Sequence, residues 1–156
     1  WPALSLLILI LLSISGGCSG STAGGMKIDR IAIIAATIRS TFLKQQHPQA
    51  VIPIHIRKLH IDEVVAKSAT VHLVLLLLIL VLATGYFTFT VDSSATGFAT
   101  SLSMVSNVGP SIGSMSFFGS YSFLGDIGRL FASILMLLGR LEIFGLLLIF
   151  FPSSWK

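Results

Sequence analysis

Between two apolar segments the chain carries Gly16-Gly17-Cys18-Ser19-Gly20-Ser21-Thr22-Ala23-Gly24-Gly25, five glycines in ten residues. Each glycine weakens a helix interior by about 1 kcal/mol relative to alanine, so a helix has no intrinsic use for such a run. Backbone that leaves the helix at membrane depth must find its hydrogen bonds in protein or in a water-filled cavity. The run therefore predicts an interrupted helix beside a polar pathway. That the surroundings are a membrane follows from composition. The chain is 54% hydrophobic and 10% charged, with a mean hydropathy of +0.94, whereas ordinary soluble domains carry about 25% charged residues. The fold class is an all-α integral membrane protein.

The net charge of +4 is unevenly placed. Lys27, Arg30, Arg39, Lys44, Arg57, Lys58 and Lys67 share one inter-helix region, while residues 90–128 carry Asp92 and Asp126 and no lysine or arginine. By the positive-inside rule the first region is cytoplasmic and the second external. Because these cations flank spanning segments, they do not read as a nucleic-acid patch. Cys18 is the sole cysteine, which excludes an intramolecular disulfide and a thiolate metal cluster, and it reads as a small packing residue. The apolar start lacks the basic leader of a signal peptide, and position 1 is not Met, so the chain is expected to begin partway through a longer protein.

Residues 1–14 are apolar but too few to cross a bilayer alone. After the glycine run, residues 26–43 resume helical spacing through Ile28, Ile31, Ile34, Ala35, Ile38 and Phe42. Residues 44–66 are polar and irregular, with a weakly alternating, extended stretch at 51–56. His47, His55 and His60 match no compact metal-ligand spacing. Asp62 and Glu63 suit the first turn of a helix, where the macrodipole favours negative charge. Residues 67–90 form the clearest span, with His72 read as interfacial near its inner end. The stretch 93–105 is too short and polar to span, and runs into Ser106-Asn107-Val108-Gly109-Pro110 and a small-residue loop at 111–123. Taken alone, it is equally a re-entrant pore loop or a plain external loop. Residues 125–151 form the last span, and 152–156 end it at the interface. Inside that span a charge costs about 2.5–3.5 kcal/mol on insertion scales. Arg140 is therefore read as facing a pathway, with snorkelling or a packing salt bridge the alternative, and Glu142 as snorkelling or in a packing salt bridge, with facing the pathway the alternative.

Four features now stand in order: the glycine-broken helix, the basic link, the Asn-Val-Gly-Pro turn, and Gly139-Arg140-Leu141-Glu142-Ile143-Phe144. That series resembles the C-terminal part of the Trk/Ktr/HKT potassium transporters, most nearly the bacterial TrkH branch. The matching stretches are 16–27, 47–51, 106–113 and 138–144. The resemblance implies a pore of four M1–P–M2 repeats with fourfold pseudo-symmetry in one polypeptide. Residues 1–43 are then the second helix of the third repeat, broken at 16–25, and 44–66 a cytoplasmic basic link. Residues 67–151 are the fourth repeat, with its first helix at 67–90, pore helix at 93–105, filter at 106–110 and second helix at 125–151. Residues 152–156 are a C-terminal tail. The family's filter often reads Asn-Asn-x-Gly-Pro-Gly, and here Ser106 and Ser111 stand at its first and last positions.

The same resemblance implies that Ser106, Asn107, Val108 and Gly109 contribute to an ion-binding filter, that the run Gly16 to Gly25 is an intramembrane gate, and that Arg140 projects towards the pore. Potassium is the implied cargo, with no organic cofactor. Implied partners are the lipid bilayer, a second copy of the full-length transporter, and a cytoplasmic nucleotide-binding regulatory ring of the TrkA/KtrA kind docked on residues 39–67. The implied location is the bacterial cytoplasmic membrane. In such a pore the carbonyls of Asn107, Val108 and Gly109 replace the waters of a monovalent cation. An enzyme is not expected: residues 20–27 lack the Gly-Lys-Ser/Thr of a phosphate loop, and residues 19–21 do not read Gly-x-Ser-x-Gly. The competing reading is a non-conducting fragment or accessory subunit, because three of four pore loops are absent from this chain.

Overall fold

The computed structural model describes residues 2–18, 20, 21, 23–46, 53–56, 59–91, 93–109, 121 and 124–140. Its first helix, α1 (Ala3–Ser15), stops where Gly16 turns to a φ of +61°. A helix end leaves its last carbonyls without partners, and here the returning chain supplies them. The Met26 amide donates to the Ile14 carbonyl (3.2 Å), and the Ile28 amide to the Gly17 carbonyl (3.1 Å). Helix α2 (Ile28–Gln46) therefore resumes against the end of α1, with the glycine run extruded between them. It stops ahead of His47-Pro48, a dipeptide that resists helical backbone.

Two short strands follow, β1 (Ile54–Ile56) and β2 (Leu59–Ile61), paired antiparallel with His55 opposite His60. Only the first was expected to be extended. The second completes a hairpin whose histidine rings meet edge-on at 5.4 Å. Helix α3 (Glu63–Val91) starts earlier than the apolar run suggests, with Glu63 in its first turn. Its 29 residues, about 43 Å of helix, are long and apolar enough to cross a membrane.

Helix α4 (Ser94–Ser106) has 13 residues, about 20 Å, or half that depth. It folds back along α3, so that Gly97 lies against Thr88, where a Cβ would sit 2.6 Å from the Thr88 hydroxyl and 2.8 Å from its amide nitrogen. Small residues at such crossings let two backbones approach closely. Every residue of α4 from Ala99 to Ser106 is buried. Helix α5 (Asp126–Arg140) runs beside α4 in the same direction. It buries Gly128, Ala132 and Leu135, one helical stripe. Phe131 tilts over Tyr86 at 4.5 Å and Phe87 at 5.9 Å. Leu76, Ala83 and Phe87 of α3, Met104 and Val105 of α4, Leu124, and Ala132 and Leu135 of α5 form one core.

Two single residues have surroundings that position in the sequence does not show. His72, near the inner end of its helix, is 2% exposed, because α2 lies over it and the Arg30 guanidinium donates to its Nε2 (3.1 Å). Cys18 is exposed rather than packed, since the loop carries it away from the helix ends.

Candidate functional site

Three elements converge where α4 ends. Val105 lies at the level of Leu76 and Ile79, halfway along α3, and the same small space is lined by Gly25, Lys27, Arg30, His72, Leu138 and Gly139. The contacts are backbone against backbone. A Cβ on Gly24 would lie 2.7 Å from the Val105 carbonyl oxygen and 3.1 Å from that of Gly139. A Cβ on Gly139 would overlap the Val105 carbonyl oxygen and lie 2.9 Å from its carbon. Only glycine fits at either position. The loop of the broken helix, the end of the half-length helix and the last helix thus touch through groups that no side chain separates.

The chain leaves α4 through Asn107, which takes the left-handed conformation (φ 53°, ψ 34°). Asparagine tolerates this better than most residues. Its amide donates to the Met104 carbonyl (3.3 Å), and that of Val108 to the Ser103 carbonyl (3.3 Å). Its side-chain Nδ2 donates to the Met136 carbonyl (2.9 Å), which ties the turn to α5. Gly109 also has a positive φ, +91°. The Gly109 carbonyl oxygen accepts from Ser103 Oγ (2.8 Å) and Tyr121 Oη (2.9 Å). A carbonyl has two lone pairs, so the protein fills both, in place of the ion expected at this oxygen. The Asn107 and Val108 carbonyls accept no hydrogen bond among the described residues. Val108 and Gly109 are exposed. Among the described residues, the end of α4 therefore presents carbonyl oxygens without donors together with the negative end of a helix dipole, a setting that attracts cations.

Of the loop 16–25, the described residues Gly16, Gly17, Cys18, Gly20, Ser21, Ala23, Gly24 and Gly25 form a compact turn closed by Gly16 packing on the Gly24 carbonyl. Ser19 and Thr22 lie outside the described residues, as do Pro110, Ser111, Glu142 and the matching stretch at 47–51. Arg140 is the last residue of α5 and is exposed, one position beyond the Gly139 contact. Sequence reasoning missed Ser103, Tyr121, Arg30 and His72. Ser103 and Tyr121 flank the matching stretch rather than belonging to it, and Arg30 and His72 meet across 42 positions.

All 156 residues match the family model described as "TrkH: Cation transport protein". The chain is 36% identical over its whole length to the Trk system potassium uptake protein TrkH of Halomonas elongata, covering 32% of that protein. It is 29% identical to the Trk system potassium uptake protein TrkG of Escherichia coli, again over the whole chain and 32% of the relative. In three dimensions it superposes on the crystal structure of the potassium transporter TrkH from Vibrio parahaemolyticus with a TM-score of 0.84 at 28% identity, covering all of this chain and 33% of that one. The chain spans about a third of the length of the curated relatives it matches. A half-length helix, a glycine-broken helix packed against its end and a family match that covers the whole chain lead to one assignment: the chain belongs to the TrkH family of cation transport proteins.

Proposed function

We propose that the chain forms the C-terminal part of a Trk-type pore-forming subunit that takes up potassium across the bacterial cytoplasmic membrane. The observation that carries this reading is the junction at Val105. There a half-depth helix delivers the 106–109 turn to the level of mid-α3, directly against the glycine loop and the last helix. Helix α4 is then a re-entrant pore helix entering from outside, and Ser106, Asn107, Val108 and Gly109 are one of four contributions to a selectivity filter.

A dehydrated potassium ion loses the oxygens of its hydration shell, and inward-facing carbonyls replace them. Asn107 and Val108 supply such carbonyls, and the α4 dipole adds a favourable field. Gly109 supplies the turn that aims them. Beneath the filter, the loop Gly16 to Gly25 is the gate: its glycines allow backbone rearrangement with little steric penalty. Arg140 places a positive charge near that gate and raises the barrier to a passing cation. One filter stretch cannot close a fourfold ring, so the other three come from the rest of the polypeptide. A second copy of the subunit and a nucleotide-binding regulatory ring on the cytoplasmic link 39–67 complete the assembly.

The coding sequence ahead of Trp1 is expected to hold further M1–P–M2 repeats with glycine-bearing pore loops. Expressed from it, the complete subunit should restore growth at low potassium to a bacterial strain lacking its own uptake systems. Normal abundance in the membrane without rescue would refute the proposal.

A further inference from the structure

Several hydroxyl side chains in these helices bond a carbonyl of their own helix. Ser101 donates to the Gly97 carbonyl (2.8 Å), Thr84 to that of Leu80 (2.7 Å) and Ser133 to that of Arg129 (2.9 Å), each four residues back. Ser106 does the same with Leu102. Ser103 reaches forward instead. It is 4% exposed, and instead of the carbonyl four residues back its Oγ reaches forward to Gly109 O, while its own carbonyl takes the Val108 amide. Tyr121, from beyond the connecting loop, donates to the same Gly109 oxygen, and the two hydroxyl oxygens stand 3.5 Å apart.

From this we infer that Ser103 and Tyr121 are specificity-determining positioning residues: together they clamp the Gly109 carbonyl away from the ion path and so hold the Asn107 and Val108 carbonyls at fixed spacing. The inference rests on the filter reading proposed above. Neither side chain touches the ion. They act on the carbonyl of Gly109, a residue whose missing Cβ and open surroundings leave its backbone free to rotate once unheld. A carbonyl filter discriminates between cations through the size of the site and the number and field strength of its oxygens. Releasing one carbonyl changes both.

The test uses the complete subunit in membrane vesicles, with competing potassium and sodium as the probes. Wild type, Ser103→Ala, Tyr121→Phe, the double variant and Ser103→Thr are compared at measured membrane abundance. Each lost hydroxyl removes one hydrogen bond, and the potassium-over-sodium preference should fall about fivefold for each single variant. Ser103→Thr, which keeps the donor, should retain the wild-type preference. A packing role alone would lower abundance or total flux and leave the preference unchanged. An unchanged preference in Tyr121→Phe, with the protein in the membrane, overturns the inference even where Ser103→Ala fails to fold. Wild-type vesicles that pass no potassium overturn the transport reading itself, and this inference with it.

Discussion

Gly139→Ala adds one methyl group where the chain has no room for it. Its Cβ would overlap the Val105 carbonyl oxygen, lie 2.9 Å from the Val105 carbonyl carbon and 3.1 Å from Asn107 Nδ2. Two carbons rest at about 3.5 Å or more, so α5 or the end of α4 must retreat by at least about 0.6 Å. Overpacking of this kind costs about 1–3 kcal/mol. Because the obstruction is backbone, no rotamer change relieves it. The same retreat pulls Met136 from Asn107 Nδ2, a bond of 2.9 Å, which adds about 1 kcal/mol. The two together come to about 2–4 kcal/mol, and even the lower end corresponds to about thirtyfold in the population of the undisturbed junction. Potassium uptake by the complete subunit, normalised to its membrane abundance, should fall by at least tenfold. Gly85→Ala is the control, since a Cβ there meets nothing within 4 Å; it should leave uptake near wild type. If Gly139→Ala carries potassium as well as Gly85→Ala does, the junction is not the working part.

Arg140→Ala should increase cation leak through the complete subunit. If the charge acts over a separation of about 10 Å at an effective dielectric of about 20, it opposes a cation by about 1.7 kcal/mol, so basal flux in vesicles should rise about tenfold; unchanged flux with correct insertion would remove Arg140 from the gate. Asn107→Ala loses both a bond to Met136 and a residue suited to the left-handed region, together about 2 kcal/mol. Asn107→Gly loses only the bond, so its thermal midpoint in detergent should fall by about half as much. Equal losses would show that the backbone conformation contributes nothing.

What could be read from the residues was what depends on local backbone preference. Five glycines in ten positions forbid a continuous helix, and the structure breaks it between Ser15 and Ile28. Helix α4 ends at Ser106 because Asn107 and Gly109 take positive φ, which asparagine tolerates and glycine, without a Cβ, adopts freely. What could not be read depends on distant partners. His72 looks interfacial by position, yet α2 covers it and Arg30 donates to it. β2 has no signal of its own beyond Leu59-His60-Ile61 and becomes a strand by pairing with β1. Ser103 is one serine among several on α4, and only the fold shows that it holds Gly109. Gly139 gave a motif position but no reason; the reason is the Val105 carbonyl, which comes from another helix.

The central claim is that the turn after α4 binds the transported ion through its own carbonyls. Rubidium, which stands in for potassium, can be located by anomalous scattering in crystals of the complete subunit. A rubidium peak is expected within coordinating distance of the Asn107 and Val108 carbonyl oxygens, with Gly109 O still held by Ser103 and Tyr121. Rubidium that is transported by the protein yet never found at those carbonyls would contradict it.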